Sequence, residues 1–305
     1  MLPDEHTIAE SMLKVGSGHE IYLQDWGNKN AKKPILFLHG GPGSGCTDKH
    51  KKFFDPKVQR VIFFDQRGCG KSTPYGELKH NTTEDLVADI IKILDFCSVK
   101  KVTIVGGSWG STLALAFTIK HQERVDTLVL GGIFTARQAE VDFLEQGGFR
   151  AFFPEAWERF VASVPKEFHK NPRDYHLPRV LGKDLAAAKV SAYEYLLLEG
   201  SVMSLDDRKK FDDFKAFDPI PTTIECYYIA NKCFMPEGYI LEHAKNIKCP
   251  VYIVQGRYDA VCPPYTAYEL HQQFPNSKLQ WTTAGHSGSD RNNWEVVRAV
   301  VASIT

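Results

Sequence analysis

Five residues, Gly106-Gly107-Ser108-Trp109-Gly110, constrain the fold of this chain more than any other stretch, because of what flanks them. The apolar run Val102-Thr103-Ile104-Val105 comes before and reads as a buried strand. The run Ser111-Thr112-Leu113-Ala114-Leu115-Ala116-Phe117 comes after and reads as a helix. A strand that passes into a helix within a few residues opens a βα unit. With the spacing G-x-S-x-G on that turn, the serine is held on strained backbone with its hydroxyl exposed. The small flanking residues let strand and helix approach closely. Ser108 is therefore the candidate nucleophile.

A serine hydroxyl is a poor nucleophile until a base takes its proton, and the base must be oriented by a third group. Where serine sits on such a turn, the partners follow in the order acid, then histidine. Here Val251-Tyr252-Ile253-Val254 reads as a buried strand, followed by Gln255-Gly256-Arg257-Tyr258-Asp259. A second short strand, Leu279-Gln280-Trp281-Thr282, leads to Ala284-Gly285-His286-Ser287. Asp259 and His286 thus both follow late strands, at the carboxyl edge of the sheet, where open α/β sheets place their sites. Alone, Asp259 would read as a turn residue and His286 as one of 11 histidines. Taken in order after Ser108, they read as the acid and base of a triad.

Acyl transfer builds negative charge on a carbonyl oxygen, and N–H groups must already point at it. The loop His39-Gly40-Gly41-Pro42-Gly43, after the strand Pro34 to Leu38, lets backbone come that close. The expected donors are the N–H of Trp109 and one from this loop, Gly41. The same residues also suit an ordinary Gly/Pro turn. A phosphate-binding loop is disfavoured, because Gly68-Cys69-Gly70-Lys71-Ser72 lacks the leading glycine that G-x-x-x-x-G-K-[ST] requires.

Along the chain, Ser11 to Trp26 alternates around Gly16-Ser17-Gly18 and predicts a β-hairpin. Strands at 34–38, 60–64, 102–105 and 126–130 then alternate with helices at 83–97 and 111–120. That rhythm implies a mostly parallel sheet with helices on both faces. Thr82-Thr83-Glu84-Asp85 starts the first helix, whose core stripe is Leu86, Ile90, Ile93 and Leu94. From Thr135 to Lys245 the pattern turns to aromatic-rich helices, 152–164 and 185–198 among them, broken by Pro165, Pro172, Pro178 and Pro219-Ile220-Pro221. The expected division is a core of 1–134 and 246–305 with an inserted helical cap of 135–245. The sheet resumes at Val251 and closes with a helix from Trp294 to Ser303.

The chain has 305 residues, of which 43% are hydrophobic and 24% charged, which suits a soluble globule with a large core. Its 37 basic and 37 acidic residues cancel, which argues against a nucleic-acid partner. No stretch approaches the apolar length of a membrane span, and Met1-Leu2-Pro3-Asp4-Glu5-His6 does not open a secretory signal. The seven cysteines form no C-x-x-C pair and no zinc spacing, so reduced thiols in a cytoplasmic protein are expected. Cys69 and Cys262 are the two expected near the site. With no ligand cluster and no dinucleotide fingerprint, neither metal nor cofactor is expected.

The segments His39 to Gly43, Asp65-Gln66-Arg67-Gly68-Cys69-Gly70-Lys71-Ser72, Gly106 to Leu115 and Gly131-Gly132-Ile133-Phe134 together resemble the prolyl iminopeptidases. The resemblance runs over nearly the whole chain and is most specific in its first half. These are α/β hydrolases with a helical cap that remove an N-terminal proline, so the resemblance implies that fold and a peptide substrate with a free N-terminus. In that family two cap glutamates bind the substrate's amino group; the matching positions are Glu199, in Tyr193 to Gly200, and Glu225, in Thr223 to Tyr228. Such a pairing is physically sound, because a buried ammonium needs paired carboxylates to offset its desolvation. The other reading has Glu199 ending a helix and Glu225 beginning one. Of the residues lining the proline ring, Phe134 is retained, while Leu144 and Ile229 replace aromatics. Tyr195 and Leu198 stand where the family carries tryptophans. A pocket with fewer aromatics suits proline or another small apolar residue. Two alternatives stay open: an esterase or amidase for neutral substrates, which inward carboxylates disfavour, and a non-catalytic binding protein, which would have lost a triad member. Nothing in the sequence fixes the oligomeric state.

Overall fold

The computed structural model describes residues 1–205 and 213–305. Eight strands form one sheet: β1 (Thr7–Gly16), β2 (His19–Gly27), β3 (Ile35–Leu38), β4 (Arg60–Phe64), β5 (Val102–Gly107), β6 (Val125–Gly131), β7 (Val251–Gly256) and β8 (Ser277–Thr282). Their order across the sheet is β1-β2-β4-β3-β5-β6-β7-β8. The hairpin β1–β2 and the β2–β4 pair are antiparallel, and every pairing from β4 onward is parallel. The hairpin is longer than its alternating pattern predicts, because β1 continues pairing back to Thr7 opposite Trp26.

The central strands are buried on both faces, as parallel strands covered by helices must be; all four residues of β3 are buried. Helix α1 (Thr83–Phe96) begins at Thr82, whose side chain accepts from the Asp85 N–H, while Asp85 accepts from the Thr82 N–H. That reciprocal pair satisfies two otherwise orphaned donors. The stripe Leu86, Ile90, Ile93 and Leu94 is buried against the sheet. Helix α2 (Trp109–Lys120) is buried from Trp109 through Thr118, so it is apolar on every side rather than amphipathic. A helix held that firmly fixes the residue at its start.

Between β6 and β7 the described residues form helices and no strand: α3 (Gln138–Glu145), α4 (Pro154–Ala162), α5 (Arg173–Val180), α6 (Leu185–Val202), α7 (Ile220–Ala230) and α8 (Tyr239–His243). Phe149, Phe153, Phe160, Val180, Tyr195 and Leu198 build a second apolar core there, which continues into Ala260, Val261 and Cys262 of the loop after β7. Two proline readings are corrected. Pro178 lies inside α5, where only two helical residues follow it, so the hydrogen bond it removes is near an end already fraying. Pro221 stands in the first turn of α7, where a missing N–H costs nothing. After β7 come α9 (Pro264–Gln273), unmarked in the sequence reading, and after β8 α10 (Arg291–Ile304). No helix among the described residues is long and apolar enough to cross a membrane.

Candidate active site

Ser108 follows β5 directly and sits at φ 55°, ψ −129°, outside the regions L-residues ordinarily occupy. Its N–H is tied to the Gly131 carbonyl at 3.0 Å. The glycines around it are dictated by neighbouring backbone. A Cβ at Gly106 would run into the Gly110 carbonyl, and one at Gly110 into the Leu38 carbonyl. The strain at Ser108 is thus held by close strand–helix contact on both sides.

Asp259 is buried beyond the end of β7, and its carboxylate is filled with donors. Oδ1 accepts from the N–H groups of Val261 at 3.0 Å and Cys262 at 2.7 Å. Oδ2 accepts from Gln255 Nε2 at 3.0 Å and from His286 Nδ1 at 2.9 Å. Because the partner is an ionised acceptor, the Nδ1 proton is fixed there and Nε2 of a neutral His286 is left as the basic nitrogen. Burial by itself would lower the affinity of His286 for a proton. Asp259, with Cys262 beside the ring, outweighs it and holds the imidazole well above the usual histidine range.

His286 and Ser108 meet across Gly132. This glycine has φ +51°, and a Cβ on it would lie 2.9 Å from His286 Cε1, 3.1 Å from His286 Nδ1 and 3.5 Å from the Ser108 nitrogen. The structure therefore brings Ser108, Asp259 and His286 to one place. Gln255 supports the arrangement: besides Asp259 it donates to the Cys262 carbonyl at 3.1 Å and accepts the Ile133 N–H at 2.8 Å. It carried no role in the sequence reading, because a glutamine at a strand end has no distinguishing pattern.

The loop of Gly41 lies beside the serine, with the Cβ position of Gly40 3.3 Å from Ser108 Cβ. Gly41 has φ +106°, and a side chain on it would strike the nitrogens of Gly43 and Ser44. Trp109 is the first residue of α2, so its N–H has no intrahelical acceptor. A buried chain of hydrogen bonds locks loop and helix together. Trp109 Nε1 donates to Gln66 Oε1 at 2.9 Å, Gln66 Nε2 donates to the His39 carbonyl at 3.0 Å, and the Gln66 N–H donates to His39 Nε2 at 3.0 Å. With Nε2 accepting, His39 Nδ1 carries the proton it gives to the Gly40 carbonyl. Burial keeps His39 below its usual range, although Asp65 acts the other way.

A small pocket is walled by Leu144, Glu145, Tyr195, Leu198, Glu199, Thr222, Glu225, Cys226 and Ile229. Tyr195, Leu198 and Glu199 are one face of α6, and Thr222, Glu225, Cys226 and Ile229 are one face of α7, at the i, i+3, i+4, i+7 spacing. Neither glutamate sits at a helix end. Both are half-buried, and both carboxyls are raised. For Glu199 burial leads, with His286 acting to lower it and Asp259 to raise it. For Glu225 burial leads again, followed by repulsion from Glu199 and Glu145, and His286 opposes. The pocket is thus within electrostatic reach of the Asp259–His286 pair. Leu144 and Ile229 stand in its wall; Phe134 does not, and packs instead where the sheet core meets the helical core. The sequence reading missed Glu145, a third carboxylate in this wall.

Cys262 lies against His286, but burial pushes its thiol up to about 11, so it is a poor nucleophile at neutral pH. Cys69 is buried with its thiol on the Arg67 carbonyl. Among the described residues, no group of three or more His, Cys, Asp or Glu side chains is disposed to hold a metal ion.

Residues 33–292 match the α/β hydrolase fold family. The chain is 39% identical to a proline iminopeptidase of Xylella fastidiosa strain 9a5c, over 96% of this chain and 95% of that protein. It is 39% identical to a proline iminopeptidase of Arabidopsis thaliana, over 91% of this chain and 75% of that one. Among solved structures, an esterase from Exiguobacterium antarcticum superposes with a TM-score of 0.68 at 18% identity, covering 97% of this chain and 99% of that one. That likeness concerns the fold alone.

Proposed function

The chain belongs to the proline iminopeptidase family of α/β hydrolases, and on that premise we propose that Ser108, Asp259 and His286 act together as nucleophile, orienting acid and general base. The protein is a serine exopeptidase that releases an N-terminal proline from peptides. His286 Nε2 takes the Ser108 proton as Oγ attacks the carbonyl carbon of the first residue. The negative charge that develops on oxygen is met by the N–H groups of Gly41 and Trp109. His286 then gives its proton to the departing amine, and the peptide lacking its first residue leaves. Water, deprotonated by His286, attacks the acyl-enzyme and frees the amino acid. The helices α3 to α8, within residues 135–245, form the cap that closes over this step.

One observation carries the exopeptidase reading: Glu199 and Glu225 share one small pocket within electrostatic reach of His286. Two repelling carboxyls in a shielded pocket are costly on their own, and an ammonium or imino cation between them offsets that cost. A cation fixed at a closed end also restricts cleavage to the first residue. Seven free cysteines and zero net charge support a cytoplasmic enzyme acting on peptides rather than nucleic acid. The test is a panel of aminoacyl fluorogenic amides, with and without an N-acyl block, on wild type and Glu199→Gln. Free prolyl amides should be cleaved and blocked ones rejected. Glu199→Gln should lose a factor of several hundred or more on free amides, since stranding a buried charge costs about 3–5 kcal/mol, while small neutral esters are spared. An unchanged amide-to-ester ratio would leave a general esterase instead.

A further inference from the structure

The loop that carries His286 is fastened on two sides. On one side α10 holds it: Asn293 Nδ2 donates to the carbonyls of Gly285 and Ser287, both at 3.0 Å, and Asn293 Oδ1 accepts from the Thr282 hydroxyl at the end of β8. On the other side the loop is tied to the exit of α6. The Ser287 N–H donates to the Met203 carbonyl at 2.8 Å. Asp290, 5% exposed, accepts the Gly285 N–H on Oδ2 at 2.9 Å and the Ser204 hydroxyl on Oδ1. Asp290 stands at the N-cap of α10, where an aspartate ordinarily turns its carboxylate onto the first N–H groups of its own helix. Here it makes no such bond, and its two oxygens are engaged across the seam instead. Gly285 is shaped to the same seam, since a Cβ on it would lie 3.0 Å from the Met203 carbonyl oxygen.

Met203, the C-cap of α6, still has helical backbone and follows Glu199 by four residues. The two therefore share one side of the helix, about 6 Å apart along its axis. One turn of helix and the Asp290 bridge thus join the carboxylate facing the pocket to the loop that carries the base. A substrate anchored by its amine has its first carbonyl at a fixed distance from Glu199. His286 serves that carbonyl only if its loop keeps a fixed distance from Glu199 too, because misplacement of a reacting group by about 1 Å can cost ~100-fold. The Asn293 bonds hold the loop to its own sheet and do not set its distance from α6. We propose that Asp290 is a positioning residue that holds His286 in register with the amine site on α6, through Gly285 and Ser204. This rests on the reading above, in which Glu199 holds the amine of the first residue.

The test compares a prolyl amide, anchored through its amine, with a small neutral ester, which has no such anchor, on Ser204→Ala, Asp290→Ala and Asp290→Asn. Rates are referred to active sites titrated with a serine-directed covalent reagent, so that only folded enzyme counts. Asp290→Ala should lower kcat on the amide by about tenfold to a hundredfold, with KM and the ester rate both within about threefold of wild type. Ser204→Ala, the milder cut, should lose in the same sense by less, and it decides the matter should Asp290→Ala not fold. Asp290→Asn should recover most of the amide rate, because its Oδ1 can accept from the Gly285 N–H while its Nδ2 donates to the Ser204 oxygen. Equal losses on amide and ester would mean that the bridge only steadies the base, and would overturn the proposal. So would an unchanged kcat, a loss confined to KM, or an asparagine variant as slow as the alanine one. Failure of the exopeptidase reading looks different: wild type itself cleaves no prolyl amide, and the proposal falls with it.

Discussion

Gly132 is the position where a single methyl group should separate catalysis from folding. The Cβ of Gly132→Ala would lie 2.9 Å from His286 Cε1 and 3.1 Å from Nδ1, where ordinary contact begins at 3.4 Å. The ring must therefore retreat by roughly 0.5 Å, a gap large enough to forfeit a substantial part of close contact, or the backbone carrying the new methyl must tilt. Either movement loads the Asp259–His286 bond and shifts Nε2 relative to Ser108. Misplacement of a catalytic group by about 1 Å can cost ~100-fold, so kcat should fall by about tenfold to a hundredfold. An alanine at φ +51° adds a further strain of about 1–2 kcal/mol, visible as a small fall in Tm. KM should barely change, because the pocket of Glu199 and Glu225 is untouched. The internal control is Gly107→Ala, whose Cβ would meet only the Gly131 carbonyl at 3.7 Å, an ordinary contact. Steady-state kinetics on a prolyl amide, with thermal melts of both variants, decide the matter. A Gly132→Ala enzyme with kcat within twofold of wild type would refute the crowding argument; so would an equal loss in the two variants.

Ser108→Ala should retain the wild-type melt and lose on the order of 10⁴–10⁶ in kcat, and a serine-directed covalent reagent should no longer label it. Asp259→Asn should lower kcat and move the acid limb of the kcat/KM profile toward lower pH. In wild type that limb should lie above the usual histidine range, since Asp259 and Cys262 outweigh the burial that disfavours imidazolium, and activity appears only as His286 loses its proton. Glu145 should make stability pH-dependent in a definite sense. Its carboxyl holds a proton up to about 7 when folded, against 4.5 as its ordinary value. Its contribution is fully present below about pH 4.5 and is lost as pH rises through 7, a change of about 3 kcal/mol. Denaturant titrations of wild type and Glu145→Gln from pH 4 to 8 measure it; parallel stability curves would show that Arg173 already cancels the burial.

What could be read from the sequence was what local backbone geometry enforces. The G-x-S-x-G turn is legible because Gly106 and Gly110 abut the backbone of Gly110 and Leu38, and no other residue fits. The parallel strands are legible because burial on both faces writes continuous apolar runs such as Val102 to Val105. Asp259 and His286 could be ordered after Ser108 because each follows directly on a strand whose apolar run is visible. Polar residues joined across distant elements leave no such mark. Gln66 bridges His39 and Trp109, and Gln255 bridges Asp259 and Ile133, yet neither differs in pattern from an exposed glutamine. Helix α9 was hidden by Pro263-Pro264, which reads as a break although Pro264 opens the helix.

Glu145 is the sharpest case of this limit. In sequence it is one more acid shortly before Gly147-Gly148, and nothing in that context marks it as buried. Only when α3, α5 and α6 pack does it acquire Arg173 on one side and Tyr195 on the other, with its carboxyl shut away from water. The aliphatic exchanges Leu144 and Ile229 can be seen residue by residue, and by themselves they argue for a pocket that has merely loosened. Glu145 and Tyr195 in the same wall change that inference. A wholly apolar pocket tolerates many side chains, whereas a wall that also holds a buried carboxyl and phenol restricts them, because an occupant that pushes Glu145 and Tyr195 apart strands polar atoms away from water. The make-up of this wall therefore follows from what the helices bring together, and Glu145 is the member of it whose sequence context says least.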